Sequence, residues 1–260
     1  MPDFDTIDQV IEDLQAGRMV VLVDERETDV DGREAVGEGE LMMLAELATA
    51  DSINFMVRHA GSPPVLTAGK DHLEAIELHQ MVPGAQGPRG ASIMVSVNAR
   101  QIEGSGVSAQ DRALTIRKLS NPQSTPEDFI QPGHITPFQA QPGGVLRRAG
   151  HTEASVDLAQ LAGSQPTALI AAILDESGEV ADTPYLLEFA HKHNFKITTI
   201  HDLIAHRRRT EKLIKLEAQS PMPTRFGEFA AYAYRSLVDD NPYIALVYGE
   251  IRADRDTLVR

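Results

Sequence analysis

The chain has 260 residues, 42% hydrophobic and 24% charged, proportions that fit a globular protein with one substantial core and a smaller appendage. A formal charge of −14 argues against non-specific nucleic-acid binding and against docking on anionic membranes, so any phosphate must be held locally by clustered arginines. The absence of cysteine excludes disulfides and thiolate metal sites, and with no bilayer-length apolar run and no basic-then-apolar leader in the sequence, a cytoplasmic location is expected.

In chain order, residues 5–16 carry apolar side chains at helical spacing, with Gly17 as a C-terminal stop. The β-branched run 19–23 reads as a buried strand. Residues 41–49 read as a helix and 52–59 as a second, short one, whereas 91–97 alternate apolar and small polar residues as a half-buried strand does. Helices are expected at 109–119 and 155–162, a strand at 168–174, a helix at 184–193, a strand at 197–199 and a long basic helix at 201–216. The sequence contains neither internal repeats nor low-complexity segments. Two prolines in Gln219-Ser220-Pro221-Met222-Pro223 interrupt that last helix and mark a boundary, dividing the chain into domains 1–218 and 219–260. Beyond it, 224–229 and 244–251 read as two strands joined by the polar turn Asp239-Asp240-Asn241-Pro242. A lone hairpin is marginal in water, so this one needs something to pack on.

The stretch Gly143-Gly144-Val145-Leu146-Arg147-Arg148-Ala149-Gly150-His151-Thr152-Glu153 carries the most chemistry. Arginine offers a planar fork to phosphate oxygens, and Gly150 allows close backbone approach. Thr152 and the free N–H groups of an opening helix can hold an anion. His151 supplies a metal ligand and Glu153 a carboxylate, a set suited to a metal-assisted sugar phosphate site. A basic turn before a capped helix is the plainer reading, although capping requires neither a histidine nor two arginines.

This stretch, together with Gly104-Ser105-Gly106-Val107-Ser108-Ala109-Gln110-Asp111-Arg112 and Gln131-Pro132-Gly133-His134-Ile135-Thr136-Pro137, resembles the motifs of the 3,4-dihydroxy-2-butanone 4-phosphate synthase family. Weaker likenesses at 17–24, 39–48 and 197–208 extend the match over roughly residues 5–210, in family order. The resemblance implies an α+β fold, a three-layer α/β/α sandwich, acting as a homodimer with sites near the subunit interface. It implies conversion of ribulose 5-phosphate to dihydroxybutanone phosphate and formate, in riboflavin biosynthesis, with Mg²⁺ or Mn²⁺. On matching positions, Arg148, Thr152 and Arg112 bind the substrate phosphate, and His151 ligates metal. Asp111 and His134 line the pocket as candidate catalytic groups. Their plainer readings are a helix-start charge beside a solvated arginine and a turn histidine bonded to backbone. Residues after 219 resemble the opening of GTP cyclohydrolase II, read as a short C-terminal β-hairpin. The zinc-binding cysteines of that enzyme are absent here, so its activity is excluded for this chain.

The acidic loop after the first strand departs from the family pattern and is longer. Anchoring on Gly39 puts Glu38 and Glu40 on its last two acidic positions, as candidate catalytic carboxylates. The same register puts Ala35 in place of an arginine and Val36 in place of the metal-binding glutamate. Arg33-Glu34 or Arg26-Glu27 can supply the missing pair only by looping back, which makes Glu34 the candidate second metal ligand. Elsewhere Arg58-His59 is followed by Ala60-Gly61-Ser62-Pro63-Pro64 rather than a thiol-bearing segment, Asn98 stands at a strand end that usually carries aspartate, and Ala172 occupies the position of a pocket glutamate. Each proton-transfer group typically contributes roughly 10²–10⁴-fold, so these losses weigh against full synthase activity. Two classes of function remain: an enzyme of this type with altered or partial chemistry, and a catalytically silent paralogue that keeps the sugar-phosphate site as a sensor, scaffold or partner subunit. Whether Glu34, Glu38 or Glu40 reaches His151 discriminates between them.

Overall fold

Side chains alternate across a β-strand, and two neighbouring strands use this to divide the interior into two cores. Strand β1 (Val20–Asp24) pairs antiparallel with β2 (Glu38–Leu44), Val20 opposite Met42 and Asp24 opposite Glu38. Val21, Val23, Leu41 and Met43 enter one core, covered by α2 (Ala50–His59), α3 (Lys70–Ala75), α4 (Ala109–Ser120) and α6 (Thr183–His193). Val20, Leu22, Met42 and Leu44 enter the other, covered by α1 (Ile7–Gln15), α5 (His151–Leu161) and α7 (Ile200–Thr210). The result is a three-layer arrangement of helices, sheet and helices, as expected.

The computed structural model describes residues 4–24, 37–85, 90–239, 241–252, 254 and 256–260. They fall into two compact units, Met1–Arg207 and Arg208–Arg260. The first unit is built on a seven-stranded sheet of order β4-β7-β3-β8-β2-β1-β9, in which β3 is Val65–Ala68, β4 Ser92–Ile93, β7 Pro137–Gln139, β8 Thr167–Ala172 and β9 Lys196–Thr199. The pairs β1·β9 and β3·β7 are parallel and the other neighbours antiparallel. A separate ribbon joins β5 (Val97–Ala99) to β6 (Phe129–Ile135). No helix among the described residues is long and apolar enough to cross a membrane.

Several elements differ from the sequence reading. Residues 41–49, expected as a helix, instead supply the end of β2 and a 3-10 turn, Ala45–Leu47. Leu41 to Leu44 is an unbroken buried run, which periodicity cannot assign to strand or helix; pairing on both sides with β1 and β8 decides it. The single strand expected at 91–97 is split between β4 and β5, which belong to different sheets. Helix α5 begins at His151, earlier than expected, with Gly150 as its N-cap.

The long helix expected at 201–216 ends at Thr210, and β10 (Ile214–Thr224) follows, passing straight through the expected boundary at 219–223. Ile214 and Leu216 alternate with Lys215 and Glu217, the period of a strand rather than a helix. Pro221 and Pro223 share one parity on β10, the edge strand of a three-stranded antiparallel sheet with β11 (Gly227–Ser236) and β12 (Pro242–Tyr248). Edge strands tolerate prolines whose missing N–H would face outward. The second unit is therefore a three-stranded sheet where a hairpin was expected.

Candidate active site

Glu38 and Glu40 are two residues apart on β2 and leave the sheet on the side of Met42 and Leu44, towards α5. The glycines that bracket them face the other way. A Cβ on Gly39 would overlap Leu186 of α6, and one on Gly37 would overlap Thr183. The Gly-Glu-Gly-Glu run thus lets α6 press on one face of the strand while the other presents carboxylates. Asp24, which is buried, lies opposite Glu38 across the β1–β2 ladder and adds a third carboxylate to that face.

His151, the first residue of α5, meets this row. Its Nδ1 lies 4.0 Å from Glu40 Oε1, and its Nε2 is buried without a hydrogen bond among the described residues. Asp24, Glu38, Glu40, Arg148, His151 and Thr152 line one cleft of about 280 Å³, to which Phe138 also contributes. Its size suits a small polar metabolite.

The turn before α5 is shaped by glycines and held by two carboxylates of the helix. Gly143 and Gly144 adopt positive φ, and a Cβ on Gly144 would overlap the Asp157 carboxylate. Asp157 accepts the Val145 N–H at 2.8 Å and pairs with Arg207 Nη1 at 2.6 Å. Arg148 Nη1 donates to both oxygens of Glu153 at 2.9 Å. Thr152 is buried beside the cleft, at a helix N-terminus whose first N–H groups have no partner within the helix.

The cleft's donor set fits a hard divalent cation. Glu40 and His151 offer an oxygen and a nitrogen, and the orphaned Nε2 shows that the imidazole is not committed to a structural hydrogen bond. Among the described residues no group of three histidine or carboxylate side chains forms a fuller ligand cage. Mg²⁺ needs none, because it usually retains several waters.

Of the site residues expected from sequence, Glu38, Glu40, Arg148, His151 and Thr152 converge on this cleft. Glu34 lies outside the described residues. Asp111, Arg112 and His134 are elsewhere on the chain. Asp111 accepts the Gly106 N–H at 3.1 Å, and Arg112 Nε donates to the Val107 carbonyl at 3.0 Å beside a different cavity, also lined by Ile53 and Val57. His134 packs on Asn98, its backbone N–H donating to Asn98 Oδ1 at 2.9 Å. Gly133 next to it runs so close to the Val97–Asn98 backbone that any side chain would collide. Ala172 lies directly opposite Glu40 on β8, so a methyl group occupies a position where the resemblance expects an acid. Sequence reasoning assigned no role to Asp24 or Phe138. Asp24 was findable, since it shares parity with Leu22 and Val20 at the end of an apolar strand.

A family model for 3,4-dihydroxy-2-butanone 4-phosphate synthase matches residues 8–206, and one for GTP cyclohydrolase II matches 215–260. A riboflavin biosynthesis protein RibBA of Aquifex aeolicus is 43% identical over 99% of the chain and 62% of its own length. The chain spans about half to three-fifths of the first curated relatives it matches. Among solved structures, RibBX, a two-domain 3,4-dihydroxy-2-butanone 4-phosphate synthase from A. baumannii, is 39% identical with a TM-score of 0.83, over 95% of this chain and 70% of that one. A 3,4-dihydroxy-2-butanone 4-phosphate synthase in complex with two magnesium ions is 36% identical with a TM-score of 0.73, over 80% of this chain and 98% of that one.

Proposed function

The chain belongs to the 3,4-dihydroxy-2-butanone 4-phosphate synthase family, and from that premise we propose that its cleft takes ribulose 5-phosphate, or a close phosphoketose, with Mg²⁺ or Mn²⁺ and enolises it. The observation that carries this reading is the approach of Glu40 to His151 at 4.0 Å, in the same cleft as Arg148 and Thr152. A divalent cation held by Glu40 and His151 would polarise the ketose carbonyl and hydroxyl oxygens. Arg148 and the α5 N-terminus with Thr152 hold the phosphate beside that pair and fix the sugar's orientation. Glu38, on the face shared with Glu40, takes the proton from the carbon next to the carbonyl. Asp24 keeps that end of the cleft acidic, so that the enediol's protons have an acceptor close by.

Enolisation needs fewer groups than the skeletal rearrangement that ends in formate. Ala172 puts no acid opposite Glu40, so the later proton transfers are slowed and exchange outruns formate release. Asp111, Arg112 and His134 sit outside the cleft of their own chain, and the reading assigns them to the cleft of a second copy. A two-fold homodimer makes such an exchange reciprocal. A silent paralogue that binds the sugar phosphate without turnover is favoured by the same Ala172.

Incubation with ribulose 5-phosphate and Mg²⁺ in D₂O, followed by NMR, separates these outcomes. Exchange at the position next to the carbonyl, abolished in His151→Ala, supports the enolase reading. Formate at a rate matching exchange shows the whole synthase reaction and removes the role given to Ala172. Binding with neither signal leaves the silent paralogue.

A further inference from the structure

Glu153 is a fully buried carboxylate behind Arg148 and is not among the residues that line the cleft. Its oxygens accept three hydrogen bonds, two from Arg148 Nη1 at 2.9 Å and one from the Gln141 N–H at 2.9 Å. Burying a carboxylate is costly unless a charged partner offsets the lost hydration. A neutral amide would satisfy the Gln141 N–H equally well, so the charge at 153 is explained by the guanidinium it holds. Gly150 points the same way. Its backbone, φ −141 and ψ 157, is open to any residue, so conformation does not demand glycine there. A Cβ would instead press on Glu153 Oε2 at 3.0 Å and meet Arg148 Cζ in ordinary contact at 3.5 Å, so a side chain there would have to displace the carboxylate slightly.

We propose that Glu153 is a positioning residue for anion binding: it fixes the plane of the Arg148 guanidinium at the cleft and, through Gln141, sets the register of the turn leading into α5. This rests on the reading of Arg148 as the phosphate anchor. A neutral amide at 153 would still hold Gln141, so the effect of the charge runs through Arg148, and for anion binding the two residues form one functional unit. A second carboxylate, Asp157, stands one helical turn further on the same face and grips Val145, which leaves Glu153 free of the task of folding the turn alone.

The test is a double-mutant cycle on the full chain, reading ribulose 5-phosphate affinity by calorimetry in Mg²⁺ and Mn²⁺ affinity by electron paramagnetic resonance. Glu153→Gln should weaken the sugar phosphate about tenfold, leave Mn²⁺ binding within about twofold, and add no further loss in an Arg148→Ala background. Glu153→Asp, which keeps the charge on a shorter arm, should fall between wild type and the amide, and it covers the case in which the amide variant folds poorly. Undiminished sugar-phosphate affinity in Glu153→Gln, or losses that add in full to those of Arg148→Ala, would overturn the inference while leaving the proposed function standing. Equal losses of Mn²⁺ and sugar phosphate would reduce Glu153 to a general structural role. A wild-type protein that binds no sugar phosphate at all would sink the functional reading, and this inference with it.

Discussion

The ion pair between Asp157 and Arg207 fastens the turn before α5 to both α5 and α7, and cutting it from either side should cost about the same for different reasons. The side chains are 5% and 14% exposed and 2.6 Å apart. Asp157 also accepts the Val145 N–H at 2.8 Å, while Arg207 also reaches the Gly143 carbonyl at 3.2 Å. Removing one partner of a buried pair typically costs about 3–5 kcal/mol, because the remaining charge loses its compensation. In Arg207→Ala that charge is the more deeply buried carboxylate, so the cost should lie near the upper end, about 4 kcal/mol. In Asp157→Ala the guanidinium is closer to solvent and keeps Gly143, which lowers the charge cost to about 3 kcal/mol. The abandoned Val145 N–H adds about 1 kcal/mol to that figure. The double variant should cost clearly less than the sum, since no charge is then stranded. Urea denaturation of the full chain, followed by circular dichroism at the helical band, reads mainly the first unit, where the described helices lie. Single-variant losses below about 1 kcal/mol, or strict additivity, would refute the view that this pair is buried and structural.

Three further outcomes follow from the same geometry. Gly39→Leu should force α6 away from β2 by colliding with Leu186, and it should weaken Mn²⁺ binding at Glu40 and His151 measured by electron paramagnetic resonance; unchanged affinity would dissociate α6 packing from the cleft. His193, whose protonation is disfavoured chiefly by burial and then by His59 and Lys192, has its pKa held below the ordinary 6.5. The unfolded chain therefore binds more protons there, so the contribution is complete above pH 6.5 and is lost as pH falls through the lowered folded value. His193→Phe should flatten the melting temperature between pH 7 and 5, and an identical slope in both proteins would contradict the assignment. Ala172→Glu places a carboxylate opposite Glu40; if the proposed chemistry holds, formate release should rise by roughly 10²-fold or more relative to deuterium exchange, and a flat ratio in paired NMR time courses would argue that the missing acid is not what limits the reaction.

Helices α1, α2, α4 and α6 and strands β1, β8 and β9 were legible because each carries its own period, composition or cap: Thr6 opens α1 with a capping box to Gln9, and Gly17 follows its end. Helix α3 and strands β3 and β7 are too short to carry such a signal, and β6 is interrupted by Pro132 and Gly133, so none of these was legible. β2 was not legible, because Leu41-Met42-Met43-Leu44 is apolar on every position and only its two partners make it a strand. The same blindness affected the site. Motif spacing located the residues of the turn, yet the convergence of Glu38, Glu40 and Asp24 on His151 depends on β1 and β2 running antiparallel in one register. A slip of a single residue would turn both glutamates towards Leu186 and both glycines towards α5. That alternative is blocked on both sides at once, since the α6 face has no room for a side chain at 37 or 39 and Met42 and Leu44 are already committed to the α5 core. The run that looked like a degraded acidic motif is therefore constrained by packing on one face of the strand and by charge on the other. Packing alone would have been satisfied by alanine or serine at 38 and 40, so the retention of two glutamates beside His151 is what packing leaves unexplained and a cation-binding cleft accounts for.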